Sequence, residues 1–217
     1  MTNSEILSHV DHTLLRADAV LDEIFELCNE AVKYGTASVC IPPSYVRAAH
    51  EKYPQLNICT VIGFPLGYSA TSAKLAEIIK ADADGAAEFD VVINLGAVKS
   101  GDFAAVSAEL DALRGASYGK VLKVIIETCY LTDSEKIEMC KIVTRVKSDY
   151  IKTSTGFGSE GAQLCDVELF RRHIGADVKI KAAGGIRTRE AMERFLAAGC
   201  NRLGTSSAVK ALAYDLY

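Results

Sequence analysis

The chain has 217 residues, 49% of them hydrophobic and 24% charged, with a formal net charge of −4. That composition belongs to a folded globular protein and provides no basic face for a nucleic-acid backbone. No apolar run is long enough to span a membrane, and the N-terminal Met1-Thr-Asn-Ser-Glu-Ile6 has no basic stretch leading into an apolar one, so the cytoplasm is the expected compartment.

Short strand-like runs alternate with helix-period stretches from end to end. Residues 9–14 read as a strand, followed by a helix over 20–34; then strand 37–41 with a short helix at 44–52, strand 57–64 with helix 70–83, and strand 87–94 with helix 106–117. The second half continues the pattern: strand 121–128 and helix 134–146, strand 149–154 and helix 162–173, strand 178–183 and helix 189–198, strand 202–205 and helix 206–215. Thr132-Asp-Ser and Thr188, with Glu190 two residues on, are helix-start signals, and Gly35, Gly175 and Gly199 stand where helix-ending glycines are expected. Eight strand–helix units predict a TIM (β/α)8 barrel, with residues 1–217 as one domain. No Gly-x-Gly-x-x-Gly follows the first strand, which removes the anchor of a doubly wound nucleotide-binding sheet. The seven cysteines are odd in number, run from Cys28 to Cys200 and include no Cys-x-x-Cys, so they read as reduced, buried thiols and not as a disulfide framework or a metal site.

A barrel of this kind carries its chemistry at the C-terminal ends of its strands. The polar residues there are Asp11 and Thr13, Cys40, Asp90 and Asn94, Glu127, Lys152 and Lys181. Alternation along Glu88-Phe-Asp-Val-Val-Ile-Asn94 turns Phe89, Val91 and Ile93 toward helices and Glu88, Asp90, Val92 and Asn94 inward. The same parity groups Tyr150, Lys152 and Ser154, and Lys179, Lys181 and Ala183. Lys179 lies one pleat below Lys181, so Lys181 is the expected site residue. Two lysines and two aspartates converging on one barrel mouth suit imine chemistry: lysine forms a Schiff base with a carbonyl once a neighbour disfavours its ammonium. His12 has the opposite parity from Asp11 and is expected to face the helices. Cys40 sits at a strand end and reads first as a packed thiol, and Glu127 as a support for the strand-5 loop.

Two glycine- and serine-bearing loops follow strands 7 and 8: Ala183-Gly-Gly-Ile-Arg-Thr188 and Leu203-Gly-Thr-Ser-Ser207. Barrels bind phosphate in this place, where backbone and hydroxyl donors can approach the anion closely.

Taken in order, Asp11-His-Thr-Leu-Leu15, Glu88-Phe-Asp-Val-Val-Ile-Asn94, Lys123-Val-Ile-Ile-Glu-Thr128, Tyr150-Ile-Lys-Thr-Ser-Thr-Gly156, Lys181-Ala-Ala-Gly-Gly-Ile-Arg-Thr188 and Leu203-Gly-Thr-Ser-Ser207 resemble the 2-deoxyribose-5-phosphate aldolase family over nearly the whole chain. The resemblance implies a TIM barrel and a class I aldolase, a carbon–carbon lyase that needs neither metal nor organic cofactor. It also implies a small phosphorylated sugar as substrate and a homo-oligomer, dimer or tetramer. It makes Lys152 the Schiff-base lysine, Lys181 the second lysine that keeps it neutral, Asp90 the carboxylate of a proton relay and Asp11 a support for the lysine pair. Thr155, Gly156, Gly184, Gly185, Gly204, Ser206 and Ser207 are the expected substrate- and phosphate-binding residues, with Cys40 beside them. Ala182 stands where some members carry proline, and Tyr217 stands where some have a terminal tyrosine that reaches the site. Two alternatives stay open at this point: another phosphate-binding Schiff-base barrel of the transaldolase kind, and a phospho-sugar-binding barrel without turnover.

Overall fold

Eight parallel strands close into a barrel in sequence order: β1 (Val10–Thr13), β2 (Ser38–Ile41), β3 (Ile58–Ile62), β4 (Glu88–Val92), β5 (Val121–Ile125), β6 (Tyr150–Lys152), β7 (Lys179–Ala183) and β8 (Arg202–Thr205), with β8 pairing back onto β1. This computed structural model describes residues 1–212. The expected run of the last helix to residue 215, and Tyr217, lie outside the described residues. Helices α1 (Asn3–Leu7), α2 (Leu21–Tyr34), α3 (Val46–Lys52), α4 (Thr71–Ala83), α5 (Leu95–Lys99), α6 (Phe103–Ala116), α7 (Asp133–Arg145), α8 (Leu164–His173), α9 (Arg189–Ala197) and α10 (Ala208–Leu212) precede, follow and surround the strands. No described helix is long and apolar enough to cross a membrane.

The layers follow from side-chain period. On α2, Ile24, Leu27, Cys28 and Ala31 recur at the three- and four-residue steps of one helical face and are buried against the sheet. Its N-terminus is closed by Glu23, whose carboxylate accepts the Val20 N–H at 3.0 Å, and it ends at Gly35 in the left-handed conformation. On the strands, Leu122, Val124, Ile151, Ile180, Ala182 and Leu203 face outward into this helical layer. Each such side chain is worth about 1.5–3 kcal/mol when fully buried. The residues between them, Lys123, Lys152, Lys181 and Arg202, face inward. A barrel interior is ordinarily filled with branched apolar side chains, so four inward cations mark a candidate site and not a core.

The structure departs from the sequence expectations at several ends. Strand β4 stops at Val92, two residues early, because Asn94 accepts the Ala97 N–H at 3.2 Å and caps the unanticipated helix α5; Asn94 therefore does not line the barrel. Strand β6 stops at Lys152, after which the chain bends so that Thr155 can meet Glu127. Helix α1 was not expected, although Thr2 and Glu5 form its reciprocal cap. Gly175 follows an extended Ile174 and does not adopt the left-handed helix-ending conformation; it is small because an added methyl would stand 2.5 Å from Thr144 Cγ2. Thr132 and Thr188 cap α7 and α9 as expected. His12 faces outward to Glu30 of α2, 2.7 Å away. Behind β4, the fully buried Lys74 donates to the Val92 carbonyl at 2.9 Å and to Glu109 at 2.8 Å, bracing the strand end that carries the site.

Candidate active site

Lys152 and Lys181 are register partners on adjacent strands, so their side chains leave the sheet about 4.8 Å apart on the same face. Two ammonium groups that close repel unless an anion comes between them. Asp90 supplies it from across the barrel: its Oδ2 accepts from Lys152 Nζ at 2.7 Å and from Lys181 Nζ at 2.6 Å. Its Oδ1 accepts from Lys123 Nζ at 2.9 Å and from Cys59 Sγ at 3.2 Å. Asp11 lies opposite, with Oδ2 against Lys181 and Oδ1 accepting from Ser38 Oγ at 2.7 Å and Arg202 Nη1 at 2.5 Å. Glu88 completes the cluster, 2.6 Å from Lys123 and 3.2 Å from Arg202.

Four cations, Lys123, Lys152, Lys181 and Arg202, thus meet three carboxylates, Asp11, Glu88 and Asp90, with one positive charge in excess. Burial pulls the Lys181 amine down, but Asp11 and Asp90 outweigh it and hold the group well above the ordinary lysine value. Lys123 is likewise raised, its burial overcome first by Asp90. Burial would raise both aspartates, yet the surrounding cations depress them: Lys181 is the largest such influence on Asp11 and Lys123 on Asp90. Carboxylates depressed in the fold stabilise it above the unfolded carboxylate range, and that contribution is lost as the pH falls through the depressed values. Urea midpoints should therefore stay flat through the neutral range and fall steeply below about pH 4. A flat profile into strong acid would contradict this charge network.

Above the cluster opens a cavity of about 350 Å³ into which Lys152 projects. The sequence-selected Thr155, Gly156, Gly184, Gly185, Gly204, Ser206 and Ser207 all line it, together with Leu14, Leu15, Phe157 and Arg187. Gly184 has φ +85°, and an added Cβ would lie 2.9 Å from the Cα of Gly161, where the β6 and β7 loops touch. At Gly204 a methyl would crowd Lys181 Cε at 3.2 Å, so the glycine both shapes the wall and leaves room for the lysine beneath. Thr205 Oγ1 donates to the Ile186 carbonyl at 2.6 Å and accepts from Ser207 N at 3.0 Å, tying the two glycine- and serine-bearing loops together. Glu127, itself at φ +50°, accepts from Thr155 N at 3.1 Å and from the Thr155 hydroxyl, fixing the loop that follows Lys152.

Lys152, Lys181, Asp90 and Asp11 thus lie together, with Lys152 alone of the four on the cavity wall. Lys179 is exposed at the other end of the strand, near the Tyr150 ring, which separates it from the site. Cys40 is fully buried against Cys59 and Val61 and does not line the cavity. Sequence reasoning passed over four contributors. Lys123 interrupts the run Val121-Leu-Lys-Val-Ile125 with inward parity, Arg202 opens β8, Arg187 follows Gly-Gly-Ile, and Cys59 hides among apolar neighbours.

The family model described as DeoC/LacD family aldolase matches residues 6–206. A protein of Clostridium botulinum (strain Alaska E43 / Type E3) named deoxyribose-phosphate aldolase is 57% identical over 210 residues, covering 96% of this chain and 95% of the relative. One of the same name from Clostridioides difficile (strain 630) is 51% identical, covering 95% of each chain. A solved deoxyribose phosphate aldolase from Aeropyrum pernix, described as having a unique tetrameric structure, superposes with a TM-score of 0.90 at 32% identity, covering 99% of this chain and 92% of that one.

Proposed function

The chain belongs to the DeoC/LacD family of aldolases, and from that membership we propose that it cleaves 2-deoxy-D-ribose 5-phosphate reversibly to D-glyceraldehyde 3-phosphate and acetaldehyde through an imine on Lys152. The observation that carries this reading is the shared Asp90 oxygen: Lys152 and Lys181 both bond to it, and only Lys152 also reaches the cavity. Loss of one proton from the cluster removes its excess charge. Arg202, Lys123 and Lys181 are held in the charged form, and Lys152 alone of the four reaches the cavity, so Lys152 is the amine that a substrate carbonyl can meet.

The neutral amine of Lys152 attacks C1 of the open-chain sugar, and loss of water yields an iminium ion. Electrons of the C2–C3 bond flow into that iminium while the C3 hydroxyl gives its proton through water to Asp90, with Lys181 holding the carboxylate in place. Glyceraldehyde 3-phosphate departs. The enamine carbon takes up a proton, and hydrolysis of the new iminium releases acetaldehyde and restores Lys152. The Gly184-Gly185 and Gly204-Thr-Ser-Ser207 loops with Arg187 hold the phosphate, so that the distance from phosphate to Lys152 selects the chain length. The resident groups suffice for each of these steps, with no metal or organic cofactor in the scheme.

We read residues 1–217 as one catalytic domain of a cytoplasmic homo-oligomer; the tetrameric relative supports the assembly state. Acetaldehyde released from 2-deoxyribose 5-phosphate, followed by alcohol dehydrogenase and NADH, is the direct assay. It separates this reaction from that of a transaldolase-like barrel, which liberates no acetaldehyde, and a silent assay from folded protein would sink the reading.

A further inference from the structure

Cys59 on β3 is fully buried inside the barrel and belongs to a small apolar group with Cys40 and Val61, apart from the main core. Its sulfur is 3.2 Å from Asp90 Oδ1 and 3.3 Å from Lys123 Nζ. Cys40, Cys59 and Asp90 offer three donor atoms within 4.8 Å of one another, which on spacing alone invites a cation. The charges argue against one: both Asp90 oxygens already face ammonium groups, and the cluster has one cation too many.

The thiol has one proton and several acceptors within reach, including the Thr60 carbonyl at 3.7 Å and the Cys40 sulfur. The carboxylate is the nearest and carries the charge, so it takes the proton. Burial, then the neighbouring Cys40 and Asp90, push the Cys59 thiol up, which keeps that proton in place. Asp90 is thus held at Oδ1 by Cys59 and Lys123 while Oδ2 is left to the two lysines.

We infer that Cys59 is a positioning residue of the aldol reaction: its S–H fixes the rotation of the Asp90 carboxylate so that one oxygen stays between Lys152 and Lys181, aimed at the relayed proton. The inference rests on the assignment of Asp90 as the proton acceptor. A carboxylate free to turn would spend part of its time with neither oxygen aligned between the two lysines. The imine on Lys152 would still form, but the steps that move a proton would slow.

The test is Cys59→Ala beside Cys59→Ser and Val61→Ala. Cys59→Ala should lower kcat about three- to tenfold, since a thiol is a weak donor but its partner is charged, with KM for the sugar phosphate unchanged. Deuterium exchange into the acetaldehyde methyl group should slow in the same ratio, while borohydride trapping of acetaldehyde on Lys152 proceeds at the wild-type rate. Cys59→Ser, which restores a donor, should recover most of kcat. Val61→Ala removes volume from the same group without removing a hydrogen-bond donor to Asp90, and should lower Tm but leave kcat alone. Wild-type turnover in Cys59→Ala, or equal losses in the alanine and serine variants, or an equal loss in Val61→Ala, would overturn the inference and leave the aldolase reading intact. If Cys59→Ala is not recovered folded, Cys59→Val, which lacks the donor without leaving a cavity, takes its place under the same criteria. Full activity in Asp90→Asn would overturn the inference together with the role of Asp90.

Discussion

Lys152→Met should fold, bind the sugar phosphate and turn over at a rate lower by on the order of 10⁴-fold or more, the scale of losing a covalent nucleophile. The fold survives because the substitution removes the one cation in excess: Lys123, Lys181 and Arg202 then balance Asp11, Glu88 and Asp90. An uncompensated buried charge costs about 3–5 kcal/mol, and this variant creates none. Methionine also fills the lysine stem's space, so no large cavity forms. Asp90 Oδ2 keeps Lys181 and therefore its ionisation. Borohydride added with acetaldehyde should attach an ethyl group to the wild-type chain at Lys152 and nowhere in the variant. Labelling of another lysine, or substantial turnover without Lys152, would refute the nucleophile assignment. Inorganic phosphate or the intact substrate should still raise the variant's Tm, since the β7 and β8 loops are untouched.

The lysine pair and both aspartates were legible because each is a charge at an inward-parity position of a short strand. Period-2 alternation needs only neighbours along the chain. Lys123 has that same parity and pairs in register with Asp90, but the charges that give it a role, Glu88 and Asp90, and its neighbour Cys59 stand on two other strands. What makes it part of the site is the closure of the barrel, which a linear pattern does not contain. Arg202 escaped for the same reason: its bonds to Asp11 and Glu88 cross between β8, β1 and β4. The strand count and order came through because eight apolar runs alternate with helical periodicity. Their ends did not, where a local hydrogen bond competes with the ladder: Asn94 caps α5, and Thr155 turns to Glu127. Cys40 is the packed thiol that its strand context suggests first, and its place beside the substrate-binding residues does not hold: in the closed barrel it is buried with Cys59 and Val61, with Leu15 and Phe64 packed against that group.

Lys181→Leu should also remain folded while losing turnover by about 10³-fold or more, within the span expected for a group that governs proton transfer. The variant again leaves three cations and three carboxylates. Asp11 is not orphaned, since Arg202 and Ser38 still bond to its Oδ1. The catalytic loss has a different origin from that of Lys152→Met. In the native cluster Asp90 Oδ2 is shared, and Lys181, held in its charged form by Asp11 and Asp90, is the partner that keeps its proton. Without it the carboxylate oxygen belongs to Lys152 alone, and the nucleophile stays tied to Asp90 with no second ammonium competing for that oxygen. The variant should therefore trap acetaldehyde at Lys152 only slowly, where Lys152→Met traps none. Removal of the excess charge would then prove fatal in both variants, once by deleting the nucleophile and once by leaving it tied to Asp90. Trapping at the wild-type rate with turnover still abolished would instead confine Lys181 to the steps after the imine, and near-normal turnover would remove it from the mechanism.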